Sequence, residues 1–353
     1  MSVIIRSATG PCQQMTTTSD GYPWQDGDIL DAADLNVAFL GAYNNVGRNL
    51  IHNPLFNIAQ RGTGPWTVNS YTLDRWLMST ILDTVSYTQG QHTDATRAAI
   101  GDEAARVFLF NTFTGNAGAT AGNWIQQGVE GVRRLSGKTV TVSFWAAAGA
   151  TLKLGVNLFQ IFGTGGSPSA FTPALTTGAS VTLTTQGARY SVTIPMPSSA
   201  GKTFGTNLDD YTILRIGYSS GANSNQSMGN IGVQSGSVWI WGVQLEIGTV
   251  ATPLEKPDPR YDLSNCQRFY SIVDVYLVGY NVTGALIGTL GAFPVQMRGI
   301  PTITISNTSG SGNITGAGVV AASYSPRGAY IYGPVAATGT GTIEAVLTAS
   351  ADL

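Results

Sequence analysis

The sequence contains little charge, and its charged residues are scattered. Charged residues make up 11% of the 353 residues, against roughly 25% in an average soluble domain. A nucleic-acid surface needs clustered cations that release phosphate counterions, and the 18 Lys and Arg residues form no run. We therefore expect no nucleic-acid partner. Disorder is also disfavoured, because 43% hydrophobic residues can support ordered cores.

Long apolar runs are also missing. No apolar stretch approaches the roughly 20 residues that a membrane helix requires. Residues 1–10 do not place a continuous apolar core behind a basic start, as a signal peptide would. We therefore expect no membrane insertion and no signal peptide.

Cysteine and histidine occur only twice each, which limits metal and nucleophile chemistry. Cys12 and Cys266 have no metal-ligand spacing, and we interpret them either as reduced thiols or as partners in an intersubunit disulfide. His52 and His92 lie in no motif with a nucleophile, and the Gly-rich tracts lack the ending of a phosphate loop. No acidic cluster indicates a calcium site. We expect no cofactor, no metal and no catalytic residue.

Residues 1–48 are predicted to form an N-terminal docking arm followed by a short helix. Turn formers fill residues 1–27, and Asp28 is a good N-cap for a helix that stops at Gly47. Apolar residues recur in this helix at spacings of three and four: Ala32, Leu35, Phe39, Ala42 and Val46. Two heptads fall short of a secure coiled coil. The helix therefore either packs on its own chain or oligomerises through Leu35, Phe39, Ala42 and Val46.

Residues 49–256 show the period-two alternation of half-buried strands. The alternation is clearest in residues 139–144, 152–158, 190–196, 214–218 and 239–247. Glycine-rich breaks separate these segments, so we expect many short antiparallel strands packed as a sandwich or jelly roll. Trp239 and Trp241 share the parity of Val243, which predicts that both tryptophans lie in the core.

Residues 257–353 are predicted to form a smaller C-terminal β domain. Three prolines in residues 252–259 indicate a linker. Asp262 is the expected cap of one short helix, and strands follow, separated by Gly/Ser/Thr/Asn-rich tracts at 307–318 and 336–341. The predicted fold class is therefore all-β: a jelly-roll sandwich plus a smaller C-terminal β domain, with an N-terminal arm and short helix.

Several segments, taken in order, resemble those of bacteriophage tail fibre and appendage structural proteins. One resembles their N-terminal lead-in, three resemble a carbohydrate-binding-module-like jelly roll, and one resembles the small C-terminal domain that often follows. The Trp239–Gly248 segment, which resembles the closing strand of such a jelly roll, is the most specific. The segments are residues 27–36, 49–57 with Leu73-Asp-Arg-Trp76, 135–145, 239–248, and 266–270 with 293–298.

This resemblance implies a virion structural protein, assembled in the host cytoplasm, that is a fibre or spike subunit and not an enzyme. It implies docking onto other virion proteins through residues 1–48, a homo-oligomer with a trimer favoured, and a jelly roll that binds host surface glycan. The main alternative is a purely structural head, neck or collar appendage without a ligand. A glycan depolymerase is less favoured. It needs opposed carboxylates, whereas the adjacent Asp209 and Asp210 would point to opposite faces of a strand.

Two tryptophans are the candidate carbohydrate-binding residues. Sugar recognition usually stacks an apolar sugar face on an aromatic ring, with polar side chains on the hydroxyls. Trp66 and Trp124 lie in Gly-, Pro- and Asn-bearing segments, where an exposed ring is expected. Asp74 and Arg75, beside Trp76, are interpreted instead as a partly buried ion pair or cap that fixes the first strand.

Overall fold

The computed structural model describes residues 47–314 and 319–353, which belong to one compact unit. The predicted arm and helix, with Leu35, Phe39, Ala42 and Val46, lie outside the described residues. None of the helices in the described ranges is long and apolar enough to cross a membrane.

The first part of the described chain is a sandwich of two antiparallel sheets, and its strand order is that of a jelly roll. The first sheet has the order β10-β6-β12-β4-β3, and the second has the order β1-β2-β5-β11-β7-β8, with β9 also paired to β7. The strands are β1 Ser70–Tyr71, β2 Leu77–Ile81, β3 Thr84–Gln91, β4 Val107–Thr114, β5 Gly122–Glu130, β6 Thr139–Ala148, β7 Leu152–Ile161, β8 Thr172–Pro173, β9 Ala179–Leu183, β10 Ala188–Pro195, β11 Tyr211–Ser220 and β12 Ser235–Ile247.

The main core lies between these two sheets, where the alternating residues of the sequence meet. Val142 and Phe144 of β6 are fully buried opposite Leu154 and Val156 of β7. Burial of one such side chain contributes about 1.5–3 kcal/mol. The predicted all-β sandwich is confirmed, and the polar residues between these positions lie on the outer faces of the sheets.

Strand β12 changes its phase at Gly242. Its backbone there has a φ of 62°, which favours glycine, and the register with β6 shifts between Trp241 and Gln244. Such a bulge inserts one extra residue into the strand. As a result Val243 faces the main core, whereas Trp239 and Trp241 lie on the outer face of the first sheet. The prediction that both tryptophans pack in a core is confirmed for Trp241, which is fully buried, but its cluster is separate from the core of Val243, and Trp239 is only partly buried.

A short helix and a chain segment cover part of this outer face. The helix α1, Asp94–Ile100, begins after the N-cap Thr93, whose side chain accepts a hydrogen bond from the Thr96 backbone, and ends at Gly101 in a left-handed conformation. Trp241 is fully buried in a cluster of its own, whereas Trp239 is only partly buried. The cluster around Trp241 contains Leu55, Ile100 and Ala105, with Leu254 and Phe108 at its edge.

The second part of the described chain holds two smaller sheets. The third sheet has the order β13-β18-β15, and the fourth has the order β14-β17-β16. Strand β15 continues well into the tract that was predicted as a turn, because its backbone pairs with β18 as far as Gly312. Helix α3, Pro259–Gln267, precedes these strands, whereas the short helix α2, Ala222–Asn225, lies earlier in the chain, between β11 and β12 of the sandwich. The strands are β13 Tyr270–Asn281, β14 Leu286–Ala292, β15 Thr302–Gly312, β16 Val320–Ser325, β17 Gly328–Pro334 and β18 Gly339–Ser350.

Helix α3 begins one turn earlier than predicted. Its N-cap is Asp258, whose side chain accepts a hydrogen bond from the Arg260 backbone, and Pro259 occupies the first helical position, where its fixed φ fits. Asp262 therefore lies inside the helix and is buried. Its Oδ1 atom accepts a hydrogen bond of 2.8 Å from the backbone of Asn53, and its Oδ2 atom has no partner among the described residues.

Arg75 joins the jelly roll to the C-terminal strands. Its buried guanidinium lies 3.3 Å from the ring centroid of Phe269, donates to the Gly128 carbonyl at 2.7 Å, and lies 3.7 Å from the carboxylate of Asp352. Asp74 instead accepts hydrogen bonds from the backbone and side chain of Gln60. Of the two interpretations, Arg75 thus forms an ion pair with Asp352 and not with Asp74, whereas Asp74 caps the backbone of Gln60.

Because Asp262 is buried, we expect the free energy of unfolding of the protein to depend on pH. Burial, with a smaller contribution from the neighbouring Asp74, raises its pKa from 3.8 to about 6. As the pH rises, Asp262 ionises at a lower pH in the unfolded chain than in the folded protein. The contribution of its protonated form to the free energy of unfolding is therefore fully present below pH 4 and is lost as the pH rises through 6. We expect Asp262→Asn to leave the free energy of unfolding unchanged near pH 4 and to increase it by about 2–3 kcal/mol at pH 8. Urea unfolding at the two pH values measures this, and an equal effect at both would contradict it.

Candidate functional site

The structure separates the two tryptophans that the sequence singles out. Trp66 is partly buried beside the edge of the first sheet, where its backbone exchanges hydrogen bonds of 2.8 and 2.9 Å with Tyr87. Its side chain packs against the main core. Trp124 lies on β5, near the middle of the second sheet, and is on the outer face because its neighbour Ile125 faces the core. The two residues therefore belong to different surfaces.

Trp124 is the centre of a stacked group that the second sheet builds from three adjacent strands. The guanidinium carbon of Arg215, on β11, lies 4.6 Å from the ring centroid of Trp124 and 4.6 Å from that of Phe159 on β7. Gln126 fixes this arrangement, because its Oε1 atom accepts from Trp124 Nε1 at 3.1 Å and from Arg215 Nε at 3.0 Å. Phe171, which is 66% exposed, extends the apolar surface beyond Phe159. We call Trp124, Gln126, Phe159, Phe171 and Arg215 the Trp124 face.

The charge on this face is not neutralised within the described chain. No carboxylate in residues 47–314 or 319–353 forms a salt bridge with Arg215, although aromatic rings surround it. Burial lowers the pKa of Arg215 to about 10, so the side chain stays charged at neutral pH. The donors of its outer nitrogens form none of the hydrogen bonds found among the described residues. They remain available to a ligand.

Neighbouring segments limit the Trp124 face at its two ends. At one end, the segment after α2 packs over the sheet, so close that a Cβ atom at Gly155 would lie 2.2 Å from the Met228 carbonyl oxygen. At the other end the last residue of the chain covers Gly128, where a Cβ atom would lie 3.0 Å from Leu353 Cδ1. Between these ends the face is a strip in which Trp124 and Arg215 are partly exposed and Phe171 is exposed, while Phe159 is buried.

The chemistry of this strip suits a ligand that is apolar on one face and polar at its rim. Aromatic rings supply flat apolar area at a small entropic cost. The guanidinium and the amide supply hydrogen bonds of fixed direction beside them. In the described residues no three His, Cys, Asp or Glu side chains come together as a metal site. A ligand placed on this strip would be held by stacking and hydrogen bonding.

Sequence reasoning found one member of this face and missed the others. Trp124 was chosen for its glycine- and asparagine-bearing surroundings, but it lies within a strand. Arg215 lies between Leu214 and Ile216 in an alternating segment, so the period alone places it opposite the core. That signal says nothing about which strands become neighbours. Phe159 could not be assigned, because its neighbour Leu158 is equally apolar.

Comparisons with known proteins give weak similarities. No family model matches the sequence, and no curated protein matches it. Among solved structures, tailspike protein 4 of bacteriophage CBA120 is similar with 13% identity and a TM-score of 0.31, over 57% of this chain and 22% of that one. The family 11 carbohydrate-binding module of Clostridium thermocellum has 12% identity and a TM-score of 0.29, over 50% and 91% of the two chains. The CBM22-2 xylan-binding domain of Paenibacillus barcinonensis Xyn10C has 14% identity and a TM-score of 0.30, over 52% and 100%. Similarities of this size assign no function to the chain.

Proposed function

We propose that this protein is a virion structural subunit, a fibre or spike, whose jelly roll binds host surface glycan through the Trp124 face. The observation that carries the proposal is the arrangement of Trp124 and Phe159 around Arg215, with Gln126 holding the ring and the guanidinium in place. A pyranose has an apolar face of C–H groups and a rim of hydroxyls. It can stack on the partly exposed ring of Trp124 while its hydroxyls accept hydrogen bonds from the free guanidinium donors.

The assembly part of the proposal has its own support. The order of the sequence segments resembles phage fibre proteins, and we propose that residues 1–48 dock onto other virion proteins. The solvent face of β13 carries a row of exposed apolar side chains, namely Ile272, Tyr276, Val278 and Tyr280. Exposed apolar patches often mark protein interfaces. This row supports association into a homo-oligomer. The resemblance to phage fibre proteins favours a trimer, and we propose that it is part of a virion assembled in the host cytoplasm.

We also propose that the protein acts without catalysis. Asp209 and Asp210 are the adjacent carboxylates that were considered for a glycan depolymerase. Both accept hydrogen bonds within loops. Asp209 accepts from the Thr164 backbone at 2.7 Å, and Asp210 accepts from the Val132 backbone at 2.7 Å. Carboxylates held in this way support the loops that they join. Incubation of the purified protein with the glycan it binds should release no reducing ends.

The test of glycan binding uses the two candidate tryptophans against each other. We expect a glycan array to show saturable binding, and Trp124→Ala to weaken the affinity for the bound sugar about fivefold to tenfold, because a stacked ring contributes about 1–1.4 kcal/mol. Trp66→Phe is the matched control, since its ring packs on the core, and it should bind like the wild type. Isothermal titration calorimetry measures both affinities.

Two results would count against the proposal. Equal affinity of Trp124→Ala and the wild type would place the sugar elsewhere. No binding to any glycan at high protein concentration would favour the purely structural appendage, whose exposed β13 row then serves only for packing between subunits.

A further inference from the structure

A second recess lies on the first sheet, away from the Trp124 face. It forms where β3 ends, α1 follows and β4 begins, and its volume is about 350 Å³. Its lining is polar and basic: Gln91, His92, Arg97, Arg106 and Val107. No residue in this lining carries a carboxylate.

The positive charge of the recess is only partly compensated. Arg97 donates from one outer nitrogen to Asp94 at 3.3 Å and from the other to the Glu103 carbonyl at 2.9 Å, while its Nε atom has no partner among the described residues. Arg106 is exposed and forms no salt bridge within residues 47–314 and 319–353. The carboxylates of Asp102 and Glu103 do not offset it, because both pair with Lys256, at 3.2 and 2.9 Å.

The ring of His92 lines the recess together with the two arginines, and the rings of Phe108 and Trp239 pack against it. We call these three rings the aromatic wall. The ring of His92 lies 4.5 Å from that of Phe108 and 4.9 Å from that of Trp239, measured between centroids. Burial lowers the pKa of His92 to about 4, so at neutral pH this ring is uncharged. Trp239 keeps part of its surface open, and Gly187 leaves room for its ring, since a Cβ atom there would lie 2.8 Å from it.

We propose that this recess binds the carboxylate of an acidic sugar residue, with Arg97 and Arg106 pairing with the anion and the ring of His92, against which Phe108 and Trp239 pack, in contact with the sugar ring. Guanidinium groups match a carboxylate in both charge and geometry. An inorganic anion would contact the arginines alone. A uronate has a carboxylate that can pair with the arginines and an apolar C–H surface that can pack on the aromatic wall. The site goes beyond the Trp124 face and is independent of it.

The test compares an acidic oligosaccharide with its neutral form. We expect the full-length protein to bind oligogalacturonate and to bind the methyl-esterified oligosaccharide at least tenfold more weakly, because the ester removes the negative charge and adds only a methyl group. Arg106→Gln should weaken oligogalacturonate binding about tenfold, the loss of one charge-assisted contact. The exposed Arg327→Gln is the matched control and should bind normally. Trp124→Ala should also bind oligogalacturonate normally, which separates this site from the Trp124 face.

Three results would overturn the proposal. Equal binding of the free acid and the methyl ester would exclude recognition of the carboxylate. Unchanged binding by Arg106→Gln would place the anion elsewhere. Displacement of oligogalacturonate by inorganic phosphate at equal molar concentration would show a general anion site that gains nothing from the aromatic wall.

Discussion

Replacing Arg75 with methionine is expected to lower the free energy of unfolding by about 1–3 kcal/mol, the cost of leaving the buried Gly128 carbonyl without its donor, because Asp352 keeps its ion pair with Arg61. The guanidinium stacks on Phe269, donates to the Gly128 carbonyl and lies beside Asp352. Methionine keeps much of the volume but leaves the buried carbonyl without a donor. Urea unfolding of the full chain at pH 7 measures the difference.

The backbone at Arg75 does not confound this experiment. Its φ is 72°, and methionine is strained there to the same extent as arginine, so the comparison reports the side chain. The matched control is Arg327→Met, at an exposed position, which should change the stability by less than about 0.5 kcal/mol. A loss below about 1 kcal/mol for Arg75→Met would mean that the C-terminal strands do not depend on this contact.

Replacing Trp241 with alanine is expected to cost about 3–5 kcal/mol, as for other large side chains removed from a core. Trp241 is fully buried on the outer face of the first sheet, where it contacts α1 and the segment around Leu55. Its loss leaves a cavity under both elements. Thermal and urea unfolding should both show the change.

Trp241→Phe separates packing from polarity at the same site. The indole Nε1 atom of Trp241 is buried and has no hydrogen-bond partner among the described residues, and an unsatisfied buried donor costs about 1–3 kcal/mol. Phenylalanine removes that donor and keeps most of the ring. We therefore expect Trp241→Phe to lose less than about 1.5 kcal/mol. A loss as large as that of alanine would show that the indole nitrogen does find a partner.

The period-two signal of the sequence predicted the sandwich but not the phase of every strand. The alternation in β6, β7, β10 and β11 placed the core residues correctly, since a strand without a bulge has a fixed period of two. In β12 the extra residue at Gly242 inverts the parity, so the tryptophans and Val243 face opposite ways. Glycine was the only local sign of this bulge, and the sequence has 44 glycines.

The capping of α3 shows a second limit of local signals. The sequence analysis named Asp262 as the cap, whereas the helix begins after Asp258. Pro259 explains why the helix begins after Asp258, since proline fits the first helical position. The role of Asp262, a buried contact to Asn53 about 200 residues away in the chain, depends on tertiary structure and has no local signature.

The candidate site was predictable only in part, for the same reason. An outward-facing position such as Arg215 follows from alternation within one strand. The contact of Arg215 with Trp124 and Phe159 depends on the order β5-β11-β7 in the sheet, which joins residues from separate parts of the chain. The spacing of residues along the sequence does not predict the order of strands in the sheet.

The most direct test of the Trp124 face is the indole N–H spectrum of the ¹⁵N-labelled protein during titration with the glycan it binds. The Nε1–H group of Trp124 donates to Gln126 within the face, so a stacked sugar should shift its signal in proportion to saturation. The buried Trp241 signal should not move. Saturable binding that leaves the Trp124 signal unchanged would contradict the account.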